Sequence, residues 1–339
     1  MTDTLMPGAA VFMPTGELAA NRMGYSHDPE IKTSNTDWMT GLPDSRHLNE
    51  LSVPGTHDTM SFYGGDITQT QSMSLADQLK SGIRALDIRC KHIKDEFPIY
   101  HGIAFQYAYF SDVLATVIDF LKVHPSETVI MRVAEEGTGS DNNETFEQTF
   151  VTKYYQPNKA EFWQGSSDNP ALSDVRGKIV VLQDFPAKDR YGIPYTTAFS
   201  IQDHWNLPSN WSLYDKWQKV KDHATAAISG SLQQGYINYL SASTGSFPYF
   251  VASGASSPQT TAPLLLTGRT TIGGWKTSWP DFPRVSCLGS WCSIAFLGTN
   301  QLFYTRLASG GELHGRAGIV MSDFPGPGLI SGIIKCNVF

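Results

Sequence analysis

Leu51-Ser52-Val53-Pro54-Gly55-Thr56-His57-Asp58-Thr59 is a short apolar run that stops at Pro-Gly and then presents His-Asp. An apolar segment that ends in a turn and delivers titratable side chains reads as a β-strand feeding a reactive site. A single histidine at such a place is as readily a capping or core group, because imidazole serves many roles. The meaning of the stretch therefore depends on the runs that follow it.

Those runs repeat the unit. Leu75, Leu79 and Ile83 lie at helical spacing behind Ser74, which predicts a helix over 74–82 and a buried strand over 83–88. A short strand over 98–101 and a helix over 111–124 follow, the helix with Val113, Val117, Phe120 and Leu121 on one stripe and Pro125 as its stop. Residues 128–133 form a β-branched run. Beyond it the pattern gives a helix over 143–154, strands over 178–182 and 199–202, a helix over 211–229, strands over 236–240 and 317–321, and a last helix over 327–335. Eight candidate strands, several apolar on both faces and most separated by helices or long connections, predict a single α/β domain. Its expected form is a TIM-like (β/α) barrel, irregular in places. Residues 1–45 hold no period and read as an N-terminal arm or cover docked by Trp38 and Met39. Residues 46–339 form the barrel, with an irregular excursion at about 254–311.

The chain has 339 residues, 41% hydrophobic and 12% aromatic, enough to bury a sizeable core. A formal net charge of -7 without clustered Lys and Arg excludes nucleic acid as the main partner and a polybasic membrane anchor. Contact with membranes is then expected through apolar and aromatic side chains. No run of about eighteen apolar residues exists, so no spanning helix is predicted. Asp3, Pro7, Pro14, Glu17 and Arg22 interrupt the N-terminus, which shows no secretory signal. Cys287 and Cys292 can close a small loop, Cys90 and Cys336 equally read as buried thiols, and no Cys-x-x-Cys pattern supports zinc.

In a barrel of this kind the carboxyl ends of the strands gather at one face. The residues closing the runs are His57-Asp58, Asp87 with Arg89, His101, Glu135-Glu136, Asp184, Asp203-His204-Trp205 and Asp323. Two histidines, an arginine and several carboxylates supply an acid/base pair with a cation between them, which suits phosphoryl chemistry without a metal. Taken singly, Asp87 reads as a core carboxylate, Arg89 as a surface cation and Asp323 as a turn cap. Together, at the ends of consecutive strands, they favour chemistry.

Residues 52–59, 78–89, Tyr100-His101-Gly102 and 124–131, in that order, resemble the catalytic X-region of bacterial phosphatidylinositol-specific phospholipases C. Arg176-Gly177-Lys178-Ile179-Val180, Gln202-Asp203 and Tyr236-Ile237-Asn238 resemble later parts of the same family. The resemblance implies roles for individual residues. His57 is the expected general base for the inositol 2-hydroxyl, held by Asp323, and His101 the expected general acid, partnered by Asp58. Arg89 is expected against the phosphate oxygens with Asp87 supporting it, and Asp203, Arg176, Glu136 and Trp205 are expected to contact the headgroup. The lysine that the family usually places two residues before that glutamate is Ala134 here. Calcium-dependent relatives carry a carboxylate at the position of Arg89 and Asn at that of Asp58, so no metal and no cofactor are expected.

The implied function is cleavage of phosphatidylinositol to inositol 1,2-cyclic phosphate and diacylglycerol. The implied partner is phosphatidylinositol in membranes, with glycosylated inositol lipid anchors as a further substrate, a secreted location and a monomeric state. Phe62, Tyr63, Phe247, Tyr249, Trp275 and Trp279 are candidates for an interfacial rim, and equally for packing beneath long loops. The alternatives are a catalytically silent inositol-lipid binding module and a metal-dependent glycerophosphodiester phosphodiesterase.

Overall fold

In the computed structural model, which describes residues 22–308 and 310–337, the opening stretch is β1 (Val53–Thr56). The remaining strands are β2 (Ala85–Cys90), β3 (Pro98–His101), β4 (Ala104–Tyr109), β5 (Val129–Glu135), β6 (Ile179–Asp184), β7 (Ile193–Pro194) and β8 (Phe199–Gln202). They continue as β9 (Asn206–Leu207), β10 (Gly235–Tyr239), β11 (Ser243–Thr244), β12 (Leu266–Thr270), β13 (Arg284–Leu288), β14 (Trp291–Ala295) and β15 (Ile319–Ser322). The main sheet runs β7-β6-β5-β2-β1-β15-β10-β8, and each neighbouring pair along it is parallel. The sheet curls into a (β/α) barrel left open between β7 and β8, which are joined by the short helix Tyr195–Ala198. The α/β fold and its irregularity are those expected.

Successive strand residues face opposite sides, and the core divides accordingly. Val53, Ala85, Ile130, Leu182, Ile237, Ile319 and Met321 share the interior cluster. Leu86, Ile88, Met131, Val133 and Val181 pack outward with Leu79, Val113, Val117 and Leu121 from the helices Leu75–Ser81 and Phe110–Val123. Val320 packs outward on the other half with Trp217, Leu302 and Leu329, from the helices Leu213–Ser229, Thr299–Arg306 and Pro327–Lys335. Gly55 is required on the inner face of β1, because a Cβ there would lie 2.5 Å from Met321 Sδ and 2.8 Å from Ala85 Cβ.

Two expectations change, and the excursion gains detail. The run at 98–101 is not a barrel stave: β3 pairs antiparallel with β2 and β4, forming a flap beside the mouth. The helix expected over 143–154 begins at Phe146 and passes into a π-helix over Phe150–Tyr155. The excursion holds a three-stranded antiparallel sheet, β12-β14-β13, whose hairpin is closed by a Cys287–Cys292 disulfide. In the described part of the expected arm, Met39 is fully buried and Trp38 Nε1 donates to Gly82 O at 2.9 Å. Residues 1–21, on which most of the N-terminal reading falls, lie outside the described residues.

Candidate active site

Along β1, β2 and β15 the inward positions change character from foot to mouth. They run Val53, Gly55 and then His57, next Ala85, Asp87 and Arg89, and finally Ile319, Met321 and then Asp323. The sheet itself therefore brings polar side chains together at its carboxyl end. His57 N–H donates to Ser322 O at 3.1 Å, extending the strand pairing one residue beyond β1. Asp58 then takes a left-handed conformation at φ 41°, uncommon for a residue with a side chain, which turns the chain off the sheet. Gln71 Nε2 donates to His57 O at 2.8 Å and Ser322 O at 3.0 Å, fixing both strand exits.

His57 Nδ1 donates to Asp323 Oδ1 at 2.8 Å, and Arg89 Nη2 donates to His57 Nε2 at 2.9 Å. This pattern puts the proton on Nδ1 and leaves Nε2 an acceptor, the form of a general base. Burial lowers the His57 pKa, but Asp323 and then Asp58 outweigh it and hold the ring at about 9, with Arg89 opposing them. The raised value favours imidazolium whereas the Arg89 contact needs a neutral ring. The hydrogen-bond geometry decides for the neutral ring in this arrangement, and the two carboxylates set the direction of its proton affinity. Burial raises the pKa of Asp323, and His57 pulls it part of the way back.

His101 approaches from the flap. Its Nδ1 donates to Thr68 O at 2.7 Å, and its Nε2 lies 3.2 Å from Asp58 Oδ2. A carbonyl at one nitrogen and a carboxylate at the other are both served by a ring with two protons, the form of a general acid. Asp58 Oδ2 also lies 3.4 Å from His57 Nε2, so one buried carboxylate oxygen stands between the two imidazoles.

Arg89 ties the group together. Its Nε lies 2.7 Å from Asp58 Oδ1, and its Nη2 donates to Asp87 Oδ2 at 3.0 Å. Arg132 Nη1 donates to Asp87 Oδ1 at 2.6 Å, and Arg132 Nε donates to Asp184 Oδ2 at 2.9 Å. Burial raises the pKa of Asp87, but Arg132 and then Arg89 reverse this and keep it charged well below the usual carboxylate range. Burial lowers the pKa of Arg89, and Asp58 and then Asp87 carry it above its ordinary value. His57, Asp58 and Asp87 also offer ligand atoms within 4.8 Å of one another. Arg89 donates to or pairs with all three, so a fixed cation occupies the centre of that donor set.

The structure thus brings together His57, Asp58, Asp87, Arg89, His101 and Asp323. The expected headgroup residues divide. Asp203 and Trp205 follow β8 at the mouth and are exposed, Trp205 by 57%. Glu136 Oε1 accepts from Gly102 N at 2.9 Å and so pins the turn after His101. Arg176 is a correction: it precedes β6 at the foot of the barrel, donating to Asp44 Oδ1 at 2.6 Å, Leu42 O at 2.7 Å and Met39 O at 3.0 Å. The Arg-Gly pair closes the turn into the strand, which faces the end opposite the mouth and clamps the covering segment.

Arg132 and Gln71 are the residues that sequence reasoning missed. Period-two counting from Ile130 along β5 puts Arg132 inward at the level of Asp87, its register partner, and was the available signal for it. Nothing local marks Gln71. Beside His101 opens a cleft of about 820 Å³, lined among others by Ile67, Ile103, Trp211, Thr244 and Phe247. Of the expected rim, Tyr63, Phe247 and Trp275 are exposed, whereas Tyr249 is buried at 8% and Trp279 packs against the core.

An open parallel barrel with two histidines and an arginine at its carboxyl face defines a phosphodiesterase-type site. Comparison narrows the class: residues 45–184 match the family described as phosphatidylinositol-specific phospholipase C, X domain. The 1-phosphatidylinositol phosphodiesterase of Listeria monocytogenes is 35% identical over 255 residues, covering 69% of this chain and 77% of that protein. Its namesake from Staphylococcus aureus is 27% identical over 242 residues, 63% of this chain and 78% of that protein. The solved Listeria phosphatidylinositol-specific phospholipase C superposes with a TM-score of 0.63 at 29% identity, over 91% of this chain and all (100%) of that one. This chain belongs to the phosphatidylinositol-specific phospholipase C X-domain family.

Proposed function

We propose that this chain is a phosphatidylinositol-specific phospholipase C that cleaves its lipid to inositol 1,2-cyclic phosphate and diacylglycerol without a metal ion. A 2-hydroxyl cis to the phosphodiester is an intramolecular nucleophile, so three tasks remain: removing its proton, neutralising charge at phosphorus and protonating the departing glycerol oxygen. Nε2 of His57 takes the proton, and Asp323 stabilises the imidazolium that forms. Arg89 neutralises charge on the phosphate oxygens, which the planar donors of a guanidinium suit. His101 gives its proton to the diacylglycerol oxygen as the P–O bond breaks, and Asp58 supports the charged ring. The observation that carries this reading is the placing of Asp58 Oδ2 3.4 Å from one imidazole and 3.2 Å from the other, with Arg89 held against both Asp58 and His57.

Metal independence follows from the same contact set, since a guanidinium already neutralises the carboxylates that would ligate a cation. Phosphatidylinositol incubated in excess chelator, followed by phosphorus NMR, is expected to give the cyclic phosphate. Turnover only after metal is added, or none under any condition, would overturn the proposal. The Cys287–Cys292 disulfide supports a secreted location, because such bonds persist in oxidising compartments. Among the described residues no helix is long and apolar enough to cross a membrane. On this reading the chain works at the bilayer surface as a monomer, and the cleft beside His101 gives room for glycosylated inositol lipids.

A further inference from the structure

The excursion between the barrel's penultimate and last strands has no part in the chemistry, yet it carries the second group of exposed apolar side chains. Leu288 and Trp291 are cross-strand partners at the tip of the β13–β14 hairpin and are 78% and 53% exposed. Cross-strand partners share one face. The disulfide between Cys287 and Cys292 closes that tip, so two large apolar groups are held outward on a stapled turn. Next to it, Thr271 Oγ1 donates to Ser290 O at 2.5 Å, which places Ile272, 52% exposed, beside the hairpin.

This surface is continuous with the catalytic mouth. Trp211 lines the cleft beside His101. The Arg269 guanidinium lies 4.6 Å from the Trp211 ring centroid and 3.6 Å from that of Trp275, which is itself 40% exposed. An apolar path thus runs from the mouth through Trp211 and Trp275 to Ile272 and the tip. Its charge is equally telling in a chain of net charge -7. Over residues 266–295 Arg284 is buried and donates to backbone carbonyls, half-buried Arg269 and exposed Lys276 are the accessible cations, and the single acid, Asp281, is paired with Lys221 and Arg306. Exposed Trp, Leu and Ile with cations and no free carboxylate suit a bilayer interface. A second copy of the chain is the poorer occupant, since a stable protein interface needs roughly 800 Å² per partner, far more than a hairpin tip presents.

We propose that the stapled hairpin and the adjoining Ile272–Trp275 turn form a lobe that inserts into the lipid interface and holds the mouth on the membrane. The proposal deepens the phospholipase reading and rests on it for the nature of the surface. The test compares wild type with the double variant Leu288→Ser and Trp291→Ser. Binding to phosphatidylcholine vesicles containing phosphatidylinositol is measured by co-sedimentation, and turnover on a dispersed short-chain phosphatidylinositol is measured alongside. The variant is expected to bind vesicles about ten- to a hundred-fold more weakly, the scale set by one or two large apolar groups. Its turnover of the dispersed substrate is expected to stay within about twofold of wild type, since neither residue touches the catalytic group.

Equal vesicle binding by both proteins overturns the lobe, as does a wild type that does not bind. A change in sedimenting mass without a change in vesicle binding would assign the face to a second copy instead. Failure of wild type to cleave the dispersed substrate counts against the enzymatic reading alone, because the vesicle arm is read separately. Quenching of tryptophan fluorescence by brominated lipid gives a readout that needs no polar substitution. It is expected to fall in Trp291→Phe, and an unchanged quenched fraction rejects insertion of the tip.

Discussion

At His57 three charged neighbours do different work: Asp323 fixes the tautomer, Asp58 adds negative potential, and Arg89 keeps Nε2 an acceptor. Under the proposed mechanism, removal of either imidazole removes one proton transfer and little packing. His57→Ala and His101→Ala are each expected to lower kcat by about a hundred- to ten-thousand-fold with the thermal midpoint nearly unchanged. Near-wild-type turnover in either variant would displace that residue from its role. Asp323→Asn has a signed outcome. Burial lowers the His57 pKa and Asp323 is the largest influence raising it to about 9, so removing that charge lowers it. The limb of the pH–rate profile that requires unprotonated His57 is then expected to move to lower pH, with kcat reduced because the imidazolium loses its counter-charge. A limb that stays in place or moves to higher pH would mean that Asp323 does not govern the base. Arg89→Asp exchanges the central cation for a fourth carboxylate or imidazole ligand beside His57, Asp58 and Asp87. Chelator-resistant turnover is expected to vanish, and calorimetry is expected to detect calcium binding that wild type lacks.

Strand β2 and the turn before it separate stability from chemistry along one segment. Arg84, just before the strand, is fully buried and donates through Nε to Glu127 Oε2 at 2.8 Å and through Nη1 to Leu79 O at 2.7 Å. Arg89, five residues on, reaches the mouth with its side chain 22% exposed. Arg84→Met leaves Glu127 buried without its partner, which costs about 3–5 kcal/mol for a broken buried pair. Denaturant unfolding is expected to show that loss while the pH–rate profile of the surviving enzyme keeps its shape. A shifted profile would mean that the foot of the barrel is coupled to the site. The same strand shows what the amino-acid order makes legible. Asp87 and Arg89 stand out because polar residues interrupt an apolar run, and so do His57 and Asp323 at strand exits. Arg132 stays hidden because an arginine within a β-branched run looks like one more strand position until the inward phase is counted. Arg176 misleads for the complementary reason: Arg-Gly before a strand marks a turn, and a turn before a parallel strand lies at the foot. The flap strand β3 has the length and composition of a barrel stave, and its antiparallel pairing depends on β4 rather than on its own residues.

On the scale of the whole molecule, the catalytic face is the one that exposes large apolar side chains beside a cleft. Ile103, at the turn of the β3–β4 flap, is 95% exposed, and Ile67, on the loop after the first strand, is 72% exposed. Both line the cleft that contains His101. Leaving two isoleucines in water at the mouth is costly unless something apolar covers them during turnover, and a lipid substrate arrives in such a surface. The double variant Ile67→Asp and Ile103→Asp introduces two charges there without altering His57, His101 or Arg89. Its rate on phosphatidylinositol in vesicles is expected to fall at least tenfold, because an apolar residue is worth about 1.5–3 kcal/mol on burial and a charge must stay hydrated. On a dispersed short-chain substrate its kcat is expected to match wild type. Equal losses on both substrates would place the two isoleucines in headgroup binding or in support of the flap. An unchanged vesicle rate would show that the mouth does not meet the bilayer through them.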